Sequence, residues 1–272
     1  MGNCCIQKEK KENILNLDQK NNNYIIAEIE IKDDDINKDI LIINSYDEFH
    51  RHRDFKQFKF EESNEEEILK CEIRINNELI PFNYIHIFKT KGKYEIKYSF
   101  KNCLTKVNCL FFNCEKLTKI DLSNLNTDKL TNMNSMFYEC KSLSIINLTN
   151  INTKEVTDMH HMFYHCESLT NLDVSSFNTE NVIYMQAMFE GCKSLTNLNL
   201  SNFNTRNVKS MVWMFTGCKS LTNLDLSNFS TEKVGELDTD EMFDECDNLR
   251  VENVRAKDER LLFILNNNNF YI

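Results

Sequence analysis

The chain of 272 residues holds only five glycines and one proline. So few glycines leave little room for a glycine-rich loop that cradles phosphate with bare backbone N–H groups. Basic residues are in deficit, with 32 Lys and Arg against 42 Asp and Glu and a net charge of −10. Neutralising nucleic-acid phosphates needs clustered Lys and Arg, so nucleic acid is not an expected partner. No run of about 18 apolar residues and no secretory h-region is present, so neither a transmembrane helix nor a signal peptide is expected. A nucleophile–base set and a paired-carboxylate motif are also missing. The expectation is a protein that is not an enzyme, with no catalytic residue, no cofactor and no evident small-molecule substrate. The 41% hydrophobic content is ample for a core.

What is there is a repeat. Between Leu104 and Leu249 one pattern recurs six times, each copy marked by a cysteine: Cys114, Cys140, Cys166, Cys192, Cys218 and Cys246. The steps are 26 residues four times and then 28. A fixed period of this size signals units that stack, because none can bury its own apolar stripe. Within 156–179, Val156, Met159, Met162 and Phe163 fall at helical spacing. After Cys166 the period becomes two, with Leu172 and Val174 opposed to Asn171, Asp173 and Ser175. The spacing predicts a short helix followed by a short strand in every unit.

Nine of the ten methionines lie in this array, in phase with the apolar positions, as core filler does. Equivalent cysteines on stacked strands lie about 4.8 Å apart with parallel Cβ vectors. A disulfide wants Cβ atoms about 3.8 Å apart and turned toward each other. A buried ladder of free thiols in a reducing compartment follows.

The Leu-x-x-Leu-x-Leu-x-x-Phe-x-Thr and Met-x-x-Met-Phe-x-x-Cys segments at this period resemble the BspA-like leucine-rich-repeat surface proteins over about 104–249. The units depart from the ordinary leucine-rich template by carrying Leu125, Ile151, Phe177, Phe203 and Phe229 where Asn or Cys is usual. The resemblance implies adhesion or protein binding and a cell-surface location. The fold class expected is α+β: a leucine-rich-repeat-type solenoid preceded by a small antiparallel β domain.

In chain order, residues 1–23 read as a polar tether that opens Met-Gly-Asn-Cys-Cys. Gly2 is placed for myristoylation and Cys4 and Cys5 for palmitoylation, although Ile6 stands where Ser or Thr is usual. Two acyl chains make stable attachment where one gives only marginal binding, so the expected location is cytoplasmic, at the inner face of a membrane where these residues are acylated. Residues 24–100 alternate as antiparallel strands, with a turn at Asn76-Asn77, a hairpin across Lys91-Gly92 and an acidic loop over 50–67. Residues 101–250 are the six repeats. Residues 251–272 form a cap helix, with Leu261, Leu262 and Leu265 on one side, and a tail.

Partner-binding candidates are outward residues. On the strand face Asp121, Asp173 and Asp225 alternate with Asn147 and Asn199. Near the paired methionines, Ile183, Tyr184, Val212 and Trp213 turn two neighbouring units apolar, and Trp and Tyr are the usual interface anchors. His161 and His165 have a spacing zinc can use on a helix, but the equivalents Ser135, Glu139, Ala187 and Gly191 are ordinary residues, so no metal site is assigned. The function expected is a non-enzymatic protein-interaction, adhesion or scaffold protein with an unidentified protein or peptide partner. The alternative is a metal- or thiol-redox-handling protein using repeat Met, His and Cys. One outcome tests the tether: Gly2→Ala should shift the protein out of the membrane fraction and change its neighbours in proximity labelling. Identical distribution and neighbours would overturn it.

Overall fold

The computed structural model describes residues 23–51, 62–235, 239 and 241–268. Gly2, Cys4 and Cys5 lie outside them. The first strand, β1 (Tyr24–Ile31), keeps strict alternation, with Ile25, Ala27, Ile29 and Ile31 buried. A short edge strand, β2 (Asp39–Leu41), follows, then two short helices, α1 (Tyr46–Arg51) and α2 (Glu65–Ile68), which overlap the two ends of the stretch expected as a loop. The strands β3 (Glu72–Ile75) and β4 (Glu78–Ile80) turn at Asn76 and Asn77, whose φ values of 47° and 70° suit a tight hairpin. Next come β5 (Ile85–Ile87) and β6 (Gly92–Ser99). The hairpin expected between these two does not form: β5 pairs with β2, and β6 lies between β1 and β3.

The repeats supply β7 (Leu117–Asp121), β8 (Ile145–Asn147), β9 (Asn171–Leu172), β10 (Asn197–Leu198) and β11 (Leu224–Leu226). A final strand, β12 (Val254–Ala256), and helix, α3 (Glu259–Asn268), close the chain. The largest sheet runs β4-β3-β6-β1-β7-β8, antiparallel up to β7 and parallel from β7 to β8. One hydrophobic core extends from Ile25 to Leu265.

The expected α+β leucine-rich-repeat-type solenoid is therefore overturned. Among the described residues there are three α-helices, and none lies within a repeat. The described residues consist mostly of short strands in mixed sheets, and the antiparallel strands share a sheet with the first repeats, because β1 pairs directly with β7. The physical reason is backbone sign. Ser135, His161, Ala187 and Trp213 all have φ between 52° and 60°, and Glu139, His165, Gly191 and Gly217 between 53° and 71°. Two left-handed residues four apart in each unit break any α-helix.

Between those residues the hydrogen bonds divide. Met162, Tyr164 and Cys166 donate back to Met159, His161 and Phe163, three residues earlier, closing successive turns. Met159, His161, Phe163 and His165 donate outward to Tyr184, Gln186, Met188 and Glu190 of the next unit, at 2.7–3.0 Å. Parallel bridges link Lys106, Asn132, Asp158, Tyr184 and Ser210 in the same phase. Cys140, Cys166 and Cys192 line up in successive units, each thiol donating to the carbonyl of Phe111, Phe137 or Phe163 at 3.1–3.2 Å. The rings of Phe111, Phe137, Phe163, Phe189, Phe215 and Phe243 stack at 5.6–5.8 Å.

A buried threonine ladder ties the other side. The Thr153 hydroxyl donates to Asn178 O at 2.8 Å and accepts from Asn178 N at 2.7 Å. Thr179 does the same with Asn204, and Thr205 with Ser230. Both ends are closed by substitutes. At the first rung Asn23 Oδ1 accepts from Asn126 N at 2.8 Å. At the last, Asp258 accepts from Thr231 N and Oγ1 at 2.8 and 2.9 Å, while Leu261 and Leu265 of α3 are buried.

Gly191 combines a positive φ with a close approach. A Cβ there would lie 2.8 Å from the His165 ring, whereas at Gly217, with almost the same φ, the nearest atoms are 3.5 Å away. Both Gly→Ala substitutions should lose about 1 kcal/mol or more through backbone strain. Gly191→Ala should lose more, and adding His165→Asn should bring it to the Gly217→Ala level. Asn fits there, since Asn113 holds the equivalent position at φ 62°. Denaturant midpoints of the four proteins check this.

Candidate functional site

Of the seven residues expected to meet a partner, the three aspartates have framework roles. Oδ1 of Asp121, Asp173 and Asp225 accepts from the backbone N–H of Ser123, Ser175 and Ser227, each at 2.9 Å. Asn147 and Asn199 do the same for Thr149 and Ser201 at 3.0 Å. These are Asx turns, in which a short side chain caps the end of its own strand. The serine hydroxyl and N–H hold the Asp173 and Asp225 carboxyls below the usual range. An amide-to-carboxylate link between units appears between Asn147 and Asp121, at 3.0 Å.

The other four lie on the turn-rich side, not the strand side. The structure puts Tyr184 and Trp213 on the surface, each 42% exposed, with Ile183 and Val212 half-buried. They belong to neighbouring units held in register by Met185 N to Ser210 O and Ala187 N to Val212 O, at 3.2 and 2.9 Å. The expected outer face of a helix does not exist. Trp213 occupies the left-handed turn position at which Ser135 and Ala187 are buried; its larger ring reaches the surface, and its Nε1 donates to Glu241 Oε2 at 2.7 Å.

Ile183 also lines an open groove of about 510 Å³. One wall is the in-phase series Glu155, Asn181, Asn207 and Lys233; the other is Thr157, Ile183 and Lys209. Sequence reasoning missed this groove. The signal was available in the change of charge along residues spaced by 26, from Glu155 at one end to Lys233 at the other.

The histidines of the third unit are separated in role. Nδ1 of His160 lies 2.6 Å from Asp158 Oδ1, and Nδ1 of His165 lies 3.3 Å from Glu167 Oε1. His161 packs edge-on between Tyr138 and Tyr164, with ring centroids 6.0 and 5.5 Å away. Among the described residues no group of three or more His, Cys, Asp or Glu is placed to hold a metal ion. Burial pushes the Cys192 and Cys246 thiols up to about 12, and those of Cys140, Cys166 and Cys218 well above the ordinary value. Such thiols carry no thiolate at neutral pH. No helix among the described residues is long and apolar enough to cross a membrane.

Fold and surface together define a stack of short-stranded coils with a groove and two exposed aromatic residues on one side. The family model described as "Mycoplasma protein of unknown function, DUF285" matches residues 83–148 and 143–256, and the chain belongs to this family. No curated protein and no solved structure matches it.

Burial, reinforced by the His160 charge and opposed by Asp158, pushes His161 down to about 4. In the unfolded chain a histidine titrates near 6.5. Between those values the unfolded chain binds the extra proton, so stability is full above about 6.5 and falls as pH drops toward 4. The loss between pH 7 and pH 5 should be about 2 kcal/mol. His161→Asn, which tolerates the positive φ, should remove that share of the pH dependence in urea titrations. An unchanged slope would contradict the buried, neutral His161.

Proposed function

We propose that the chain is a non-catalytic interaction protein that docks a protein partner on the turn-rich side of its stack. The observation that carries this is the exposure of Tyr184 and Trp213 in adjoining units. At the same repeat positions other units hold Asn132, Asp158 and Ser210, or Ser135, His161 and Ala187. Two large rings replace these smaller side chains, while the hydrogen bonds that hold the units in register run through the backbone, and Trp213 adds a side-chain bond to Glu241 of the next unit. Tyr and Trp present large, rigid contact area, and such residues dominate binding energy where they are central to an interface. The likeness of the repeats to BspA-like surface proteins supports the same reading, as does the strand side, where Asx turns already occupy the aspartates.

Trp213→Ala tests it cleanly, because Ala187 already occupies the equivalent position at φ 52°. The substitution should abolish capture of partners from the native cell while moving the melting temperature by no more than about 3 °C, as expected of a surface site. Intact capture, or a large fall in melting temperature, would turn Trp213 into a structural residue.

A further inference from the structure

We propose that the groove beside Ile183 takes an extended segment of the partner that carries a basic residue and, four positions away, an acidic one. This rests on the docking reading above and adds the partner's chemistry. The stack leaves some of its charges without an ion-pair partner among the described residues. On another ladder opposite charges sit in adjacent units and pair: Lys141 with Glu115, Lys193 with Glu167 and Lys219 with Glu245, at 2.9–3.0 Å. In the groove, Glu155 and Lys233 are three units apart, with two amides between them. Those amides are committed to the framework, Asn181 Nδ2 donating to Lys154 O at 2.8 Å and Asn207 Nδ2 to Glu180 O at 2.9 Å. Among the described residues Glu155, Lys209 and Lys233 form no ion pair; Lys233 donates only to Asn207 Oδ1, at 2.7 Å. The adjoining exposed series Lys154, Glu180, Arg206 and Glu232 alternates in sign and does not line the groove.

A groove with one carboxylate at one end and two ammonium groups at the other fits a dipolar ligand. Three coil spacings of about 4.8 Å give about 14 Å. An extended peptide rises about 3.4 Å per residue, so side chains four positions apart span the same length. The groove cannot add a strand, because its backbone is already paired. Ile183 N donates to Thr157 O and Lys209 N to Ile183 O, both at 2.8 Å. Recognition therefore falls to side chains: Glu155 for the cation, Lys209 and Lys233 for the carboxylate, and Ile183 for an apolar residue between them.

A blocked, fluorescently labelled pentapeptide Lys-Thr-Val-Thr-Asp supplies the probe. Titrated with the full chain at low salt, it should show saturable anisotropy. The Lys209→Glu/Lys233→Glu variant, checked for an unchanged melting curve, should bind it about tenfold or more weakly, as expected for losing a charge pair. The same variant should now favour Lys-Thr-Val-Thr-Lys, a reversal that damaged folding would not produce. Glu155→Gln alone should weaken the Lys–Asp peptide and strengthen Asp-Thr-Val-Thr-Asp, whose first carboxylate it no longer repels. Equal binding of the Lys–Asp peptide to both proteins, or none beyond that of a Gln-Thr-Val-Thr-Asn control, overturns the groove assignment. Partner capture that still depends on Trp213 would then leave the docking reading standing, so the two fail separately.

Discussion

Everything in the repeats depends on where alternate backbone N–H groups point. A helix would spend them within its own segment. Here two left-handed residues per unit turn every second N–H toward the carbonyls of the next unit, as from Met159, His161, Phe163 and His165 to residues 184, 186, 188 and 190. A single unit cut from the stack would hold these donors and acceptors unpaired, which makes each unit's conformation conditional on its neighbours. The same condition explains the ends. Asn23 offers its amide oxygen where a preceding threonine would stand, and Asp258 offers its carboxylate where the following unit would begin.

The threonines and cysteines of the repeat interior share one habit: each bonds to a residue one unit away. A threonine hydroxyl both donates and accepts, so it can serve the N–H and the carbonyl of the same neighbouring residue, which neither valine nor alanine could do. A cysteine thiol is small and apolar enough for full burial, yet still donates to the phenylalanine carbonyl behind it. This explains why the cysteines recur without pairing as disulfides, and why the stacked phenylalanines can hold a constant spacing. Uniform side chains in equivalent positions keep the coils parallel.

The repeat, its phase, its buried face and its capping helix were legible in the sequence because burial leaves a periodic trace. The secondary structure of the Met-x-x-Met-Phe-x-x-Cys segment was not. A helix and a run of consecutive turns both return the chain to the same side every three or four residues. Met159, Met162, Phe163 and Cys166 are therefore buried in either case. What separates the two is the destination of the hydrogen bonds, which side-chain spacing does not record. One clue was present: Gly191 and Gly217, two of only five glycines, share a repeat position just before the cysteine. Glycine favours a positive φ, and its recurrence there argues for a turn. Of the candidate site, Tyr184 and Trp213 could be read as departures from a consensus. For the aspartates a structural ladder and a binding face both stayed open, because an Asx turn and a ligand-binding carboxylate look alike until the N–H two residues on is placed.

Regularity also explains where function can reside. A ladder residue that is the same in every unit is there to satisfy its neighbours, as with Thr179, whose hydroxyl both donates and accepts. Freedom to interact belongs to positions where the units differ. Such differences are tolerated because the pairing that holds the stack runs through the backbone, so Ser135, His161, Ala187 and Trp213 adopt the same left-handed turn whether buried, as Ser135 and Ala187 are, or exposed, as Trp213 is. Stability is delegated to residues that repeat, which leaves Ile183, Lys209, Lys233 and Glu155 on one side of a frame whose ion pairs, among the described residues, use none of these three charges.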